Sequence, residues 1–253
     1  MSRPSLYSSP GNRLLAALAP ADLALLNADL EPMDLPVRHV LEQPGKTIDH
    51  VYFVGRGIAS VVASSRNLKR NIEIGLIGRE GMSGHAILMG NHQSPNATYM
   101  QVAGAGHRMP AKKLRAAVQA SPAFHGILLK TVQVFLTQTA QTAVANARSM
   151  IEERLARWIL MAHDRVDADT LPLTHEFLSV MLGVRRAGVT IALQALEKRR
   201  LILSRRGAIA VIDRAGLEKI AGDAYGLPEA ELKRLLGTPA PAPAQAGSLR
   251  AVR

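Results

Sequence analysis

The sequence predicts an α+β fold: an N-terminal antiparallel barrel or sandwich, a long central helix, and a C-terminal winged helix-turn-helix. Three observations carry this prediction. Short β-branched or alternating runs separated by glycines occupy the N-terminal part. The stretch Thr131–Ala147 contains no charged residue. Two helical patterns meet at Gly183, the second opening with Arg185 and Arg186, and the basic turn Arg205-Arg206-Gly207 follows them.

The bulk properties narrow the classes. With 253 residues, 47% hydrophobic and 20% charged, the chain has enough apolar content for one large or two modest domains. It has no cysteine, which excludes disulfides, thiolate zinc sites, iron–sulfur clusters and a cysteine nucleophile, and fits a cytoplasmic location. No apolar run approaches the roughly 20 residues of a membrane span, and Met1–Asn12 lacks the apolar centre of a signal peptide. Lys and Arg total 31 against 20 for Asp and Glu, a net charge of +11. That balance favours a polyanionic partner, nucleic acid before membrane.

Taken in order, Asn12–Asn27 carries Leu14, Leu15, Leu18, Leu23, Leu25 and Leu26, and predicts two short helices broken near Pro20. Strands are predicted at Val37–Leu41, Val51–Val54, Ile58–Ala63, Ile72–Ile77 and Tyr99–Val102, with Gly45, Gly55, Gly57, Gly75 and Gly78 among the breaks. Pro110 opens a short helix, Ala111–Ala120, and Pro122 a much longer one. Along the long helix Ile127, Leu128, Thr131, Phe135, Gln138 and Thr142 form one stripe at three- and four-residue steps. An uncharged helix of this length needs cover on more than one side. The stripe is expected to be the interface of a homodimer, the alternative being that the barrel covers the whole helix. Arg148–Val166 is again helical, with Met150, Ile151, Leu155, Trp158, Ile159 and Met161 as its apolar side.

The segment Leu173–Ile202 carries the function. Thr174 can cap a first helix whose buried side is Phe177, Leu178, Met181 and Leu182. Gly183 permits a tight turn, and Val184 can fill the angle between the helices. The second helix starts at Arg185 or Arg186 and buries Val189, Leu193 and Leu196. Leu201–Ser204 and Ala208–Ile212 form a hairpin behind it, with Arg205 and Arg206 placed to lie over phosphates. Residues 174–206 hold seven basic side chains against two acidic ones, a local excess of +5. The N-terminal residues of such a second helix reach base edges in the major groove of duplex DNA. A generic basic helical packing unit would lack this combination of turn glycine, paired arginines and basic hairpin.

From about Asn12 to Ala221 the sequence resembles the Crp/Fnr family of bacterial transcription regulators. The likeness rests on the glycine-punctuated strands, the long uncharged helix, Glu152–Arg165 (EERLARWILMAHDR) and the winged helix-turn-helix. The resemblance implies a cyclic-nucleotide-binding-like antiparallel β-roll, a dimerisation helix and a DNA reader. It implies a homodimer on a near-palindromic operator, with RNA polymerase as a candidate further partner and no enzymatic activity. The implied division is 12–120 for the β-roll, 121–147 for the dimerisation helix and 148–236 for the reader. Composition predicts disordered tails at 1–11 and 237–253. Arg186 matches the family's guanine-reading arginine, and Thr174 its phosphate-contacting threonine. Two departures alter the expected operator: Ala187 stands where a glutamate is frequent, and Ile191 where a second reading arginine is frequent. DNA contacts are expected from Thr174, His175, Arg185, Arg186, Thr190, Gln194, Arg205 and Arg206.

Cyclic-nucleotide-binding relatives use a glutamate for the ribose and an Arg-Ser or Arg-Thr pair for the cyclic phosphate, because a buried anion needs a paired cation. In Gly78–Val102 the corresponding positions are His85, after Gly84, and Asn96-Ala97. Gly84, His85, Asn96 and Ala97 are thus the effector-pocket candidates, and a cyclic nucleotide is not expected. The effector remains unnamed by the sequence, and no cofactor or metal is expected. An alternative reading is a small-ligand-binding or cupin-like metal enzyme using the β-roll. It needs two or three histidines and a carboxylate on facing strands, a pattern that His85, His92 and His107 do not show.

Overall fold

The computed structural model describes residues 11–65 and 70–237. The expected tails, apart from Gly11 and Gly237, lie outside the described residues. Asn12 starts the fold. Its side chain accepts from the Leu15 N–H at 2.9 Å and donates to the Val54 and Gly81 carbonyls, both at 2.8 Å. Helix α1 (Arg13–Ala16) follows, then α2 (Pro20–Asn27), with Pro20 at the first turn where a missing N–H is harmless.

Five antiparallel strands form the N-terminal sheet: β1 (Glu31–Leu35), β2 (Val40–Glu42), β3 (His50–Ser65), β4 (Arg70–Ile77) and β5 (Ala97–Pro110). Their order is β1-β5-β3-β4, with β2 also on β5. Strands β3 and β5 run the length of the roll. One half of β5 pairs with β1, from Glu31↔Arg108 to Leu35↔Gly104; the other pairs with β2 at Val40↔Tyr99.

This corrects two sequence expectations. Val51–Val54 and Ile58–Ala63 are one strand, not two. Gly55 and Gly57 do not end it; they lie where its register with β5 shifts. Gly57 has φ +88°, and a Cβ there would sit 2.5 Å from the Val102 carbonyl oxygen, so this bulge accepts only glycine. Strand β1 was not expected. Its sequence EPMDL has no alternation, and its proline is tolerated because β1 is an edge.

Helix α3 (His85–Leu88) lies between β4 and β5. Then α4 (Ala111–Ala120) and α5 (Pro122–Arg148) lead away from the sheet. Ser121 caps α5 by accepting from the Phe124 N–H at 3.1 Å. After a break at Ser149-Met150, α6 (Ile151–His163) begins. Met150 is exposed rather than part of the apolar side, and acts as the N-cap residue. The C-terminal part comprises β6 (Thr170–Leu171), α7 (His175–Leu182), α8 (Arg186–Lys198), β7 (Ile202–Arg205), β8 (Ala208–Val211), α9 (Arg214–Ala221) and α10 (Leu227–Leu236). Strands β6, β8 and β7 make a small antiparallel sheet in that order.

The C-terminal part shares a core with the roll. Ile58, Leu76 and Val102 from the sheet pack in one buried cluster with Trp158, Met181, Leu182 and Leu193. Polar contacts cross the same joint. Trp158 Nε1 donates to Glu73 Oε1 at 2.6 Å, Arg79 pairs with Asp167 at 2.6 Å, and Arg165 with Glu80 at 2.8 Å.

The stripe expected as a dimer interface faces inward. Leu128 is fully buried with Phe124 and Val132 in the cluster under α1 and β3. Thr131 is buried, Ile127 half-buried, and Phe135 packs toward β4. Gln138 donates to the Leu76 carbonyl at 3.1 Å and accepts from its N–H at 2.6 Å, in the manner of a neighbouring strand. Thr142 receives Arg157 Nη2 at 3.1 Å. The uncharged outer face of α5 is instead Leu129, Gln133, Leu136, Ala140, Ala143 and Val144, all exposed in the single chain.

Candidate nucleic-acid interface

Thr174 sits in extended backbone before α7, and its hydroxyl accepts from the Phe177 N–H at 3.2 Å. Leu178, Met181 and Leu182 turn inward, and Phe177 covers their edge. Gly183 ends α7 with φ +63°, and its N–H bonds back to the helix. A Cβ there would meet the Ile72 side chain of β4 at 3.0 Å, so the turn between the helices rests on the roll. From α6, Arg154 Nη2 donates to the Leu182 carbonyl and closes the end of α7.

Arg185 is the N-cap residue of α8 and Arg186 its first residue; both are exposed. Val189, Ala192, Leu193 and Leu196 bury one face of α8. The opposite face carries Ala187, Ile191, Gln194 and Lys198, all exposed. Ile191 is 62% exposed, unusual for a β-branched side chain at mid-helix. His175 and Thr190 meet across the two helices at 3.2 Å, and the Thr190 hydroxyl donates to the Arg186 carbonyl at 3.1 Å. Each thus has a hydrogen-bond partner within the helix pair while staying partly exposed.

The hairpin joins β7 to β8 through Arg206 and Gly207, with Arg205 paired to Ala208. Arg205 and Arg206 are exposed at its tip. Glu197 Oε1 accepts from the Ser204 N–H at 2.6 Å and fixes the hairpin against α8. Sequence patterning missed this role. Glu197 read only as one of two acids in a basic stretch, and only the i to i+7 reach from helix end to strand gives it a purpose. The whole arrangement presents the start of one helix, with Arg185 and Arg186, and one hairpin tip, with Arg205 and Arg206, both cationic. Such a surface can neutralise phosphates and reach base edges together.

The effector-pocket candidates lie on the roll. Gly84 starts α3 in the left-handed region, and its N–H is taken by the buried Glu42 carboxylate at 2.8 Å. Burial pushes the Glu42 pKa up, against hydrogen bonds that favour its charged form. His85 packs on Phe135 with ring centroids 4.9 Å apart, and burial lowers its pKa to about 4. It is neutral near pH 7 and cannot serve as a cation there. Asn96 precedes β5 and Ala97 is its first residue; Asn96 is held in a tight turn by Ser94 Oγ at 3.1 and 3.2 Å. Between His85, Phe135, Thr131 and Gln138 about 20 Å³ is open, room for a single water. Among the described residues no three His, Asp or Glu side chains converge as a metal site. No helix among them is long and apolar enough to cross a membrane.

Residues 153–220 match the Crp-like helix-turn-helix domain. No curated protein matches the chain. Among solved structures, it resembles a transcriptional regulator described as Crp/Fnr family from Eubacterium rectale, at 16% identity and TM-score 0.65, covering 84% of this chain and 99% of that one. FixK2 from Bradyrhizobium japonicum matches at 15% identity and TM-score 0.65, over 78% of this chain and 99% of its own. TTHA1359, a Crp/Fnr-family regulator from Thermus thermophilus, matches at 20% identity and TM-score 0.61, over 76% and 98%. The chain thus has the fold seen in Crp/Fnr transcription regulators, and its residues 153–220 match the Crp-like helix-turn-helix domain.

Proposed function

We propose that this protein is a homodimeric transcription regulator that binds a near-palindromic duplex operator and catalyses no reaction. The carrying observation is the exposed pair Arg185 and Arg186 at the start of α8, on a helix pair fixed by the Thr174 cap and the Gly183 turn. Arg186 is assigned to guanine O6 and N7, and Arg205 and Arg206 to phosphates. His175 and Thr190 act as supports for this helix start, since their polar atoms already meet each other.

The dimer is assigned to the outer face of α5, through Leu129, Gln133, Leu136, Ala140 and Val144. This uncharged strip at three- and four-residue steps is the geometry of a two-helix seam. The same division of labour gives 12–120 to sensing, 121–147 to dimerisation and 148–236 to reading. A cyclic nucleotide is not the effector in this reading. His85 is neutral, Asn96-Ala97 supplies no cation, and the space beside Phe135 holds one water.

Selection of bound fragments from random duplex DNA tests the proposal. It predicts a near-palindrome with half-sites about 34 Å apart. Recovery of no enriched sequence, with binding indifferent to salt, would contradict it.

A further inference from the structure

A cleft opens where the roll, the long helix and the reader meet. It measures about 300 Å³ and is lined by Arg13 of α1, Glu80 after β4, Val134 of α5, Arg165 after α6, and Leu232 and Lys233 of α10. That volume suits a small molecule. It adjoins the water-sized space beside His85 and shares Glu80, Val134, Gln138 and Leu232 with it.

One wall is apolar, formed by Val134 and Leu232 with the ring of Pro228. The other is charged, and its carboxylates are already engaged. Glu80 meets Arg165 at 2.8 Å, Asp164 meets Arg214 at 2.8 Å, and Glu229 accepts from the Gly226 N–H at 3.1 Å. Two of its cations are not. Among the described residues neither Arg13 nor Lys233 forms an ion pair. Arg13 is half-buried; burial and the nearby Arg79 guanidinium push its pKa down, against the Glu80, Asp167 and Asp164 carboxylates, which favour its charged form. The carboxylates near Arg13 are held by other partners, so its half-buried guanidinium lines an open cleft with no ion pair of its own and can take an anion there.

We propose that this cleft binds a small organic carboxylate, its acid group between Arg13 and Lys233 and its apolar body against Val134, Pro228 and Leu232. A molecule held there touches the roll through Glu80, the long helix through Val134, and the reader through Leu232. Its occupancy is therefore linked to how the reader is held against the roll. That consequence rests on the DNA-binding reading; the site does not, and its test uses no DNA.

The test is calorimetric titration of the full chain at low ionic strength with phenylacetate. Phenyl phosphate, benzyl alcohol and benzylamine serve as the dianionic, neutral and cationic counterparts. Phenylacetate should bind saturably and more tightly than the other three. Arg13→Gln should weaken it about tenfold and Lys233→Gln several-fold. Leu232→Trp, which fills the cleft, should abolish it. Circular dichroism checks each variant, and Lys233, being exposed, can be changed without disturbing the fold. Three results overturn the proposal: no saturation by phenylacetate at millimolar concentration, tighter binding of any counterpart, or binding unchanged in both Lys233→Gln and Leu232→Trp.

Discussion

The indole Nε1–H of Trp158 donates to the Glu73 carboxylate at 2.6 Å, joining α6 to strand β4 deep inside the chain. Glu73 is fully buried, its second oxygen has no partner, and burial raises its pKa to about 7 despite Ser60, Trp158, Arg157 and Arg165 nearby. The protonated acid is therefore the form the folded chain prefers. This site contributes most stability below the ordinary carboxylate range. That contribution falls as pH rises toward 7 and is flat above it. Glu73→Gln keeps an acceptor for the indole and removes the charge. It should stabilise the chain at pH 8 by roughly 1–3 kcal/mol and by little at pH 4.5. Urea unfolding of both proteins across that range checks it; a difference that does not change with pH contradicts it.

Gln138 pairs with both backbone groups of Leu76 on the outer strand β4. Gln138→Leu keeps the volume and leaves a buried N–H and C=O unpaired. The expected loss is about 2–4 kcal/mol in urea unfolding, because each orphaned buried group costs on the order of 1–3. A loss under half a kcal/mol, about the size of a neutral surface change, would show that water replaces the amide.

The two faces of α5 should respond differently to charge. Leu128→Asp buries an ion in the protomer core and should prevent folding. Leu136→Asp, on the exposed face, should leave circular dichroism unchanged and shift sedimentation from dimer to monomer. A wild-type monomer at micromolar concentration, or a dimeric Leu136→Asp, removes the seam from this face.

Much of the reader was legible in the sequence, because its signals are local. Thr174, Gly183 and the Arg185-Arg186 start each act within a few residues of themselves, and the caps and turn are where those residues put them. The roll was less legible. Gly57 looks the same in sequence whether it ends a strand or bulges one, and only the nearby Val102 carbonyl decides. On α5 the periodicity grouped Leu128, Phe135 and Gln138 on one face. It could not say whether that face meets the chain's own sheet or a second copy, since both demand the same absence of charge. Trp158–Glu73 spans 85 positions, and no pattern within either segment marks it.

Ile191 and Ala187 lie one turn apart on the exposed face of α8, where neither can hydrogen-bond a base. Apolar side chains in the major groove select the thymine methyl. Replacing single operator thymines with deoxyuridine removes that methyl alone. It should weaken wild-type binding at one or two positions per half-site, and Ile191→Ala should abolish the difference at one of them. Equal sensitivity in both proteins contradicts the assignment.

Arg186 is assigned to a base edge and the hairpin tip to phosphates. The most direct measurement is binding to an operator set carrying every single base change, at two salt concentrations, for wild type, Arg186→Ala, Arg205→Ala and Arg206→Ala. Arg186→Ala should cost about 1–3 kcal/mol per half-site and relax the choice at one base pair. The hairpin variants should weaken all sequences alike and lower the salt slope by about one each. If Arg186→Ala weakens every site equally and leaves the preference profile intact, Arg186 is not the base reader. If none of the three variants changes affinity, the helix-turn-helix does not bind DNA through this surface.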